Sequence, residues 1–214
     1  MTEYASEEWW AKYKKFAERS RKRHIRAFKM GVTQSPNKEC RILDLGSGKA
    51  AIGYHVAKAI GGSKWQWTGI DTDPPEMQYV HPITVEGDYR DIDKMKLVAS
   101  VLRAEIVTAW FSTEVTQSRK ESEKLYAALF DVPSVHTVFV AGFYYQERMW
   151  DQIVKEGEVE SFQVPRKLYE SEEHEGLYEI RFEMRAPSEM FGPDVVECYS
   201  VFRHHIPWTI RSRG

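Results

Sequence analysis

Apolar residues in this chain gather in short unbroken runs closed by a glycine or an acid, and these runs alternate with stretches of helical spacing. Ile42, Leu43 and Leu45 read as a buried strand broken by Gly46-Ser47-Gly48, after which Ile52, Val56, Ala59 and Ile60 recur at helical intervals. "WQWTGIDTDP" predicts a second strand ending in Asp71, "ITVEGDYRDI" a third and "AEIVTAWFSTEV" a fourth. A helix is expected from about Thr116 to Phe130, with Leu125, Leu129 and Phe130 on one side. "SVHTVFVAGF" is uninterrupted and apolar, as a central parallel strand should be, and a helical stretch follows near Tyr144 to Lys155. Further on the period changes to two: "LYEIRFEM" and "VVECYSVFRHHI" alternate, and the turn-rich "RAPSEMFGPD" between them predicts an antiparallel pair. Strands alternating with helices define an α/β chain with a mostly parallel sheet.

Composition narrows this to one such unit. The chain has 214 residues, 42% hydrophobic, enough for a single core with a small addition. We divide it into an N-terminal helical extension, 1–39, and a main domain, 40–214. No apolar run approaches a membrane span, and "MTEYASEEWW" is acidic and without a signal-peptide core, so an intracellular protein, cytoplasmic or nuclear, is expected. Two cysteines, Cys40 and Cys198, are too few for a disulfide framework or zinc cluster, and neither His204 nor His205 has a spaced metal partner, so no metal site is expected.

The net charge of −2 hides an asymmetry. Lys12, Lys14, Lys15, Arg19, Arg21, Lys22, Arg23, Arg26 and Lys29 crowd the extension against Glu18, whereas "YESEEHEGLYE" is acidic. Trp9, Tyr13 and Phe16 share one helical face, as do Ile25 and Phe28. Two readings stand side by side: a basic helix that draws an RNA backbone over the site through Arg21, Lys22, Arg23 and Arg26, or a lid helix whose charges are solvated or pair with the acidic segment.

The glycine corner carries the chemistry. A phosphate loop needs Ser or Thr after its lysine, but Lys49 precedes Ala50; the dinucleotide fingerprint needs glycine where Ala51 stands. What remains is D-x-G-x-G, and Asp44, two places before Gly46, disfavours a phosphate and suits an ammonium. Asp71 follows at the spacing a β-α-β unit gives a ribose-binding acid, with Asp73 in reserve.

These residues resemble the first motifs of class I S-adenosylmethionine-dependent methyltransferases, with Ala50 in place of the usual third glycine. The resemblance covers roughly Cys40 to Pro207. It implies a Rossmann-like, seven-stranded, mostly parallel sheet with helices on both faces and an antiparallel C-terminal hairpin. It also implies S-adenosylmethionine as cofactor, held by Asp44, Gly46, Ser47, Gly48 and Lys49 along its methionine part, by Asp71 at the ribose, and by Asp88 and Tyr89 at the adenine. Trp110 has two readings, stacking on adenine or filling the core.

The acceptor is approached by elimination. Trp110-Phe111-Ser112-Thr113 is not the Asn/Asp-Pro-Pro-Tyr corner of exocyclic-amine enzymes, neither cysteine follows a proline as a pyrimidine-carbon nucleophile would, and no Lys-Asp-Lys-Glu set marks a ribose 2′-O enzyme. Transfer to a ring nitrogen, an amine or an oxygen survives. Gly46-Ser47-Gly48-Lys49 and "RKRHIRAFK" are similar to messenger-RNA cap guanine-N7 methyltransferases, although Glu114 and Val115 replace the His-Tyr pair of those enzymes. Glu114 and Tyr144 are the candidate catalytic residues, and Tyr145 and His204 join the basic residues as substrate candidates. RNA or another anionic nucleoside leads; a small molecule, a protein amine, or a non-catalytic binding module are the alternatives.

Overall fold

The computed structural model describes residues 7–32, 38–48, 51–73, 83–113, 117–145, 166–171, 174–184 and 195–204. In chain order the elements are α1 (Glu7–Gly31), β1 (Cys40–Leu45), α2 (Ile52–Gly61), β2 (Trp65–Asp71), β3 (Ile83–Glu86), α3 (Ile92–Leu102), β4 (Ile106–Trp110), α4 (Arg119–Leu129), β5 (Thr137–Tyr145), β6 (Arg166–Glu170), β7 (Tyr178–Met184) and β8 (Val195–Arg203). The strands form one sheet in the order β3-β2-β1-β4-β5-β8-β7-β6.

The first five strands are parallel, with β1 between β2 and β4 in registers such as Asp44 opposite Gly69 and Thr108. β8 runs antiparallel to both β5 and β7, so the expected C-terminal pair is present and lies beside the fifth strand. One strand was not expected: β6 pairs with β7 at the sheet's edge, giving eight strands rather than seven. Its sequence RKLYE lacks the apolar run that marks the central strands, and basic residues are common on edges, where they discourage pairing with another chain. The helix expected near Tyr144 to Lys155 begins with two residues that belong to β5; the rest, from 146, lies outside the described residues.

Each sheet face is covered by two helices. Alternation along β1 sends Ile42 to one face, where it packs with Phe16, Phe28, Ile52 and Val56 of α1 and α2, and Leu43 and Leu45 to the other, against Met95, Ala99, Leu125 and Leu129 of α3 and α4. Local signals set the ends of these helices. Asp91 accepts the Lys94 amide at 3.1 Å to start α3, and Ser118 and Glu121 form a reciprocal capping box at the start of α4.

α1 is part of this core. Phe28 meets Trp65 at the start of β2 with ring centroids 6.0 Å apart, while Phe16 meets Phe111, just past the end of β4, at 5.7 Å. The helix therefore runs against the direction of the parallel strands. Its N-terminal half arrives at their carboxyl ends. Among the described residues no helix is long and apolar enough to cross a membrane, and no group of three His, Cys, Asp or Glu is placed to hold a metal.

Candidate functional site

The carboxyl ends of β1, β2, β3 and β4 converge on the glycine corner. Gly46 and Gly48 both take left-handed backbone angles, φ 62° and 59°, which a residue with a Cβ adopts only at a cost. At Gly46 there is also no room: a Cβ would stand 2.6 Å from Cβ of Ser112 and 2.9 Å from Cε1 of Tyr89. The corner is fixed from below and from the side. The Ser47 amide donates to the Ile70 carbonyl at 3.1 Å, the Ser112 hydroxyl donates to the Leu45 carbonyl at 2.7 Å, and the Gly48 amide donates to Oδ2 of Asp71 at 2.8 Å.

Asp71 thus lies where the ribose acid was expected, half-buried at the end of β2, with Oδ1 accepting the Asp73 amide at 3.0 Å. Each oxygen accepts one backbone amide, which orients the carboxylate and leaves lone pairs for hydroxyl donors. Among the described residues the buried Ser47 hydroxyl has no hydrogen-bond partner.

Asp44 is placed differently from expectation. Strand alternation turns it with Ile42 toward the α2 face, where it is 1% exposed. Oδ1 accepts from the Thr108 hydroxyl at 2.6 Å and Oδ2 from the Trp67 indole at 3.1 Å. A Cβ at Gly53 would collide with the same carboxylate. Burial, with a smaller contribution from the charge of Asp71, pushes the carboxyl up to about 7 despite the lowering effect of the two hydrogen bonds. Asp44 is therefore turned under the loop, with both oxygens hydrogen-bonded. It braces β1, β2 and β4 under the loop.

The adenine-side residues also divide. Asp88 stands after β3 as expected, but Arg90 engages both its oxygens, at 2.5 to 2.9 Å, and holds its carboxyl below the ordinary range. Tyr89 is buried beneath Gly46 and donates its hydroxyl to the Ser112 carbonyl at 3.2 Å, so it supports the corner from inside. Trp110 fills the core: it is 4% exposed and stacks on Phe28 with ring centroids 6.2 Å apart. Phe111, directly after β4, has φ 57°, an uncommon angle for a bulky side chain, and its amide is tied to the Ala141 carbonyl at 2.7 Å.

The substrate candidates scatter. Arg21, Lys22 and Arg26 are exposed on α1. Arg23 turns inward: its Nε and Nη2 donate to Glu197 at 2.6 and 2.5 Å, and Nη2 also donates to the Ser20 hydroxyl at 2.6 Å. It is committed to β8 and is not available to a phosphate. His204 follows β8 at the end that pairs with the start of β5, since Phe202 faces Val138; this is the opposite end of the sheet from the glycine corner. Tyr144 and Tyr145 close β5 at the site's end. Lys49 and Glu114 lie outside the described residues.

Residue reading missed Glu197, Tyr199 and His24. Glu197 is fully buried on β8 and also accepts the Tyr199 hydroxyl at 2.5 Å; His24 is fully buried on α1. A charged residue at an inward position of an alternating strand was the available signal. On the other face of the sheet a cavity of about 240 Å³ lies between α4 and β7–β8, but its charged groups pair with one another: Arg119 with Glu123 and Glu179, and Arg181 with Glu179.

No family profile matches the sequence, and no curated protein matches it. Among solved structures the chain is similar to the plantazolicin methyltransferase BpumL, in complex with S-adenosylhomocysteine, at 10% identity over 94% of this chain and 91% of that one, with a TM-score of 0.53. It is also similar to the mycinamycin-pathway methyltransferase MycE, at 20% identity over 53% of this chain, TM-score 0.41. Only 30% of the MycE chain is matched, so this protein spans less than a third of that enzyme. An arsenic(III) S-adenosylmethionine methyltransferase of Chlamydomonas reinhardtii aligns at 13% identity over 86% of this chain and 73% of that one, TM-score 0.42. The architecture is the class I S-adenosylmethionine-dependent methyltransferase fold.

Proposed function

We propose that the protein is an S-adenosylmethionine-dependent methyltransferase acting on a nitrogen or oxygen acceptor. The observation that carries this is the Asp71 carboxylate, oriented at the end of β2 by the Gly48 amide and set beside two left-handed glycines. A strand-end acid and a bare backbone corner suit a nucleoside with a methionine tail. The residues fit the cofactor: Asp71 for the ribose hydroxyls, the Gly46–Gly48 backbone for the methionine part, and Asp88 at the adenine side, the last shared with Arg90. The bound cofactor supplies a methyl group on a sulfonium. The chain's own part is alignment and exclusion of water, with Tyr89 and Ser112 fixing the corner from below.

Isothermal titration tests this directly. Micromolar binding of both S-adenosylmethionine and S-adenosylhomocysteine is expected, about −8 kcal/mol. Asp71→Ala should weaken both by the same factor, about tenfold or 1.4 kcal/mol, because it removes bonds to a ribose they share. An absence of heat and of thermal shift with either ligand rejects the assignment, and so does full affinity in the Asp71 variant.

For the acceptor we favour RNA or another anionic nucleoside, on the exposed basic residues Arg21, Lys22 and Arg26 of the helix whose N-terminal half reaches the site. The inward pairing of Arg23 favours a lid role for the same helix and with it a small acceptor, which is the second reading. Fluorescence anisotropy with short single-stranded RNA separates them. If RNA is the acceptor, affinity falls steeply with salt, and Arg21→Gln with Lys22→Gln flattens the log–log slope by about 0.7 per lost phosphate contact while cofactor affinity holds. No binding at low salt leaves the small-acceptor reading.

A further inference from the structure

Two buried polar atoms without a hydrogen-bond partner among the described residues stand in one aromatic box: Nδ1 and Nε2 of His24. Around the His24 ring stand Trp110 and Phe111 at 5.5 Å between centroids, Phe16 at 5.8 Å and Tyr199 at 6.4 Å. Nε2 of His24 is 3.9 Å from Oε2 of Glu197, too far for a hydrogen bond, while the Glu197 oxygens are taken by Arg23 and Tyr199. An imidazole sealed among rings with neither nitrogen satisfied is destabilising, so the closed packing is held at a cost.

The box also has a telling position. Trp110, the last residue of β4, pairs with Ala141, and Glu197 pairs with Phe143, two residues further toward the carboxyl ends. Glu197 thus stands about 7 Å beyond the end of β4, at the level where the glycine corner opens. Beyond His24, α1 is packed through Ala27 and Phe28, with Val32 buried just past its end; before it, Phe16 and Ser20 are buried among the described side chains, and the Arg23–Glu197 pair, with Arg23 still touching solvent, ties the helix to β8.

We propose that α1 up to His24 is a movable wall on the acceptor side of the cofactor corner, that the Arg23–Glu197 pair is the latch holding it shut, and that opening presents His24, Tyr199 and Glu197 to the acceptor. This rests on the methyltransferase reading for what the wall admits. Opening gives the imidazole the partner it lacks: a hydroxyl or amine that donates to it. In the closed state burial, and then the positive charge of Arg23, push His24 down to about 3, so it stays neutral; Glu197 and Tyr199 are the other ionisable groups facing it. In the closed state Arg23 and Glu197 are positioning residues; His24 and Tyr199 meet the acceptor only once the helix opens.

The test uses the full chain without cofactor. Amide hydrogen exchange is followed by peptide for residues 10–24, 27–32 and β4, together with carbethoxylation of His24 by diethyl pyrocarbonate, which requires solvent access to the ring. In the wild type, 10–24 should exchange at least tenfold faster than β4 while 27–32 stays protected. Glu197→Gln, and the milder Arg23→Lys, which keeps the charge but loses the two-pronged bond, should each raise exchange of 10–24 and modification of His24 about tenfold and leave β4 unchanged. If α1 exchanges together with β4 in all three proteins, or the variants speed every segment alike, the pair only holds the fold together and the latch is rejected. Cofactor titration on the same samples reads the methyltransferase assignment separately, so either can fail without the other.

Discussion

Gly48→Val should weaken S-adenosylmethionine binding at least about a hundredfold, or 2.7 kcal/mol, while the folded chain survives. At φ 59° a β-branched residue is strained, and to relieve the strain the backbone must rotate toward negative φ. That rotation pulls the Gly48 amide off Oδ2 of Asp71, so the loop and the ribose acid lose their mutual alignment in one step. The contrast is Gly46→Val. There the new side chain meets Ser112 and Tyr89 inside the structure, so it should lower thermal stability as well as binding. Titration calorimetry and circular dichroism melts of the two variants distinguish a ligand-facing glycine from a packing one. Wild-type affinity in Gly48→Val would place the cofactor elsewhere.

The second large effect is in the pH dependence of stability, where two buried groups oppose each other. His24 is held at about 3 in the folded chain against its usual 6.5, so the unfolded chain carries the extra proton across that interval. Its contribution is present above about pH 6.5 and is lost as pH falls, by about 1.4 kcal/mol per unit. Asp44 is raised to about 7 from 3.8, so the folded chain carries the extra proton. Its contribution is complete below about pH 3.8 and is lost as pH rises through 7, at a similar slope. Between about pH 4 and 6.5 the two nearly cancel. Relative to wild type, His24→Phe should therefore lose stability as pH rises from 4.5 to 6.5, and Asp44→Asn should lose it as pH falls over the same range, each by up to about 3 kcal/mol. Urea denaturation at three pH values reads both slopes; variants whose slopes match wild type would show that these groups titrate normally in the fold.

The central strands were legible because a strand buried on both faces must be apolar almost throughout, and because β1 runs into Gly46 and β2 ends in Asp71 where the chain turns toward the site. Asp71 was expected at a strand end for the same reason, and it stands at the end of β2. Asp44 was legible as an acid but not in its direction: the spacing to Gly46 suggests a loop-facing carboxylate, whereas alternation along β1 sets it on the α2 face with Thr108 opposite in register. Trp110 could be decided only by the packing of Phe28 above it. Arg23 looked like any other member of a basic run, because its partner Glu197 lies 174 residues away and only strand pairing brings it near. The same distance hid His24. Edge strand β6 was missed because a short polar strand carries no periodic signal.

The sheet order has a consequence for how the chain is made. Among the described residues β8 is the last strand in sequence, yet it is threaded between β5 and β7, so that there the five parallel strands and the β6–β7 pair are joined only through it. The same strand supplies Tyr199 and Glu197 beneath α1, the first of the described helices. During synthesis the first helix must therefore wait, its apolar face lacking part of its cover, until nearly all the described chain has left the ribosome. Contacts of such sequence separation form late and slowly, because a long loop must close before they stabilise anything. Nascent chains stopped before Val195 should accordingly be held by chaperones and cut readily by proteases, and release of β8 should convert them to the resistant form in a single step.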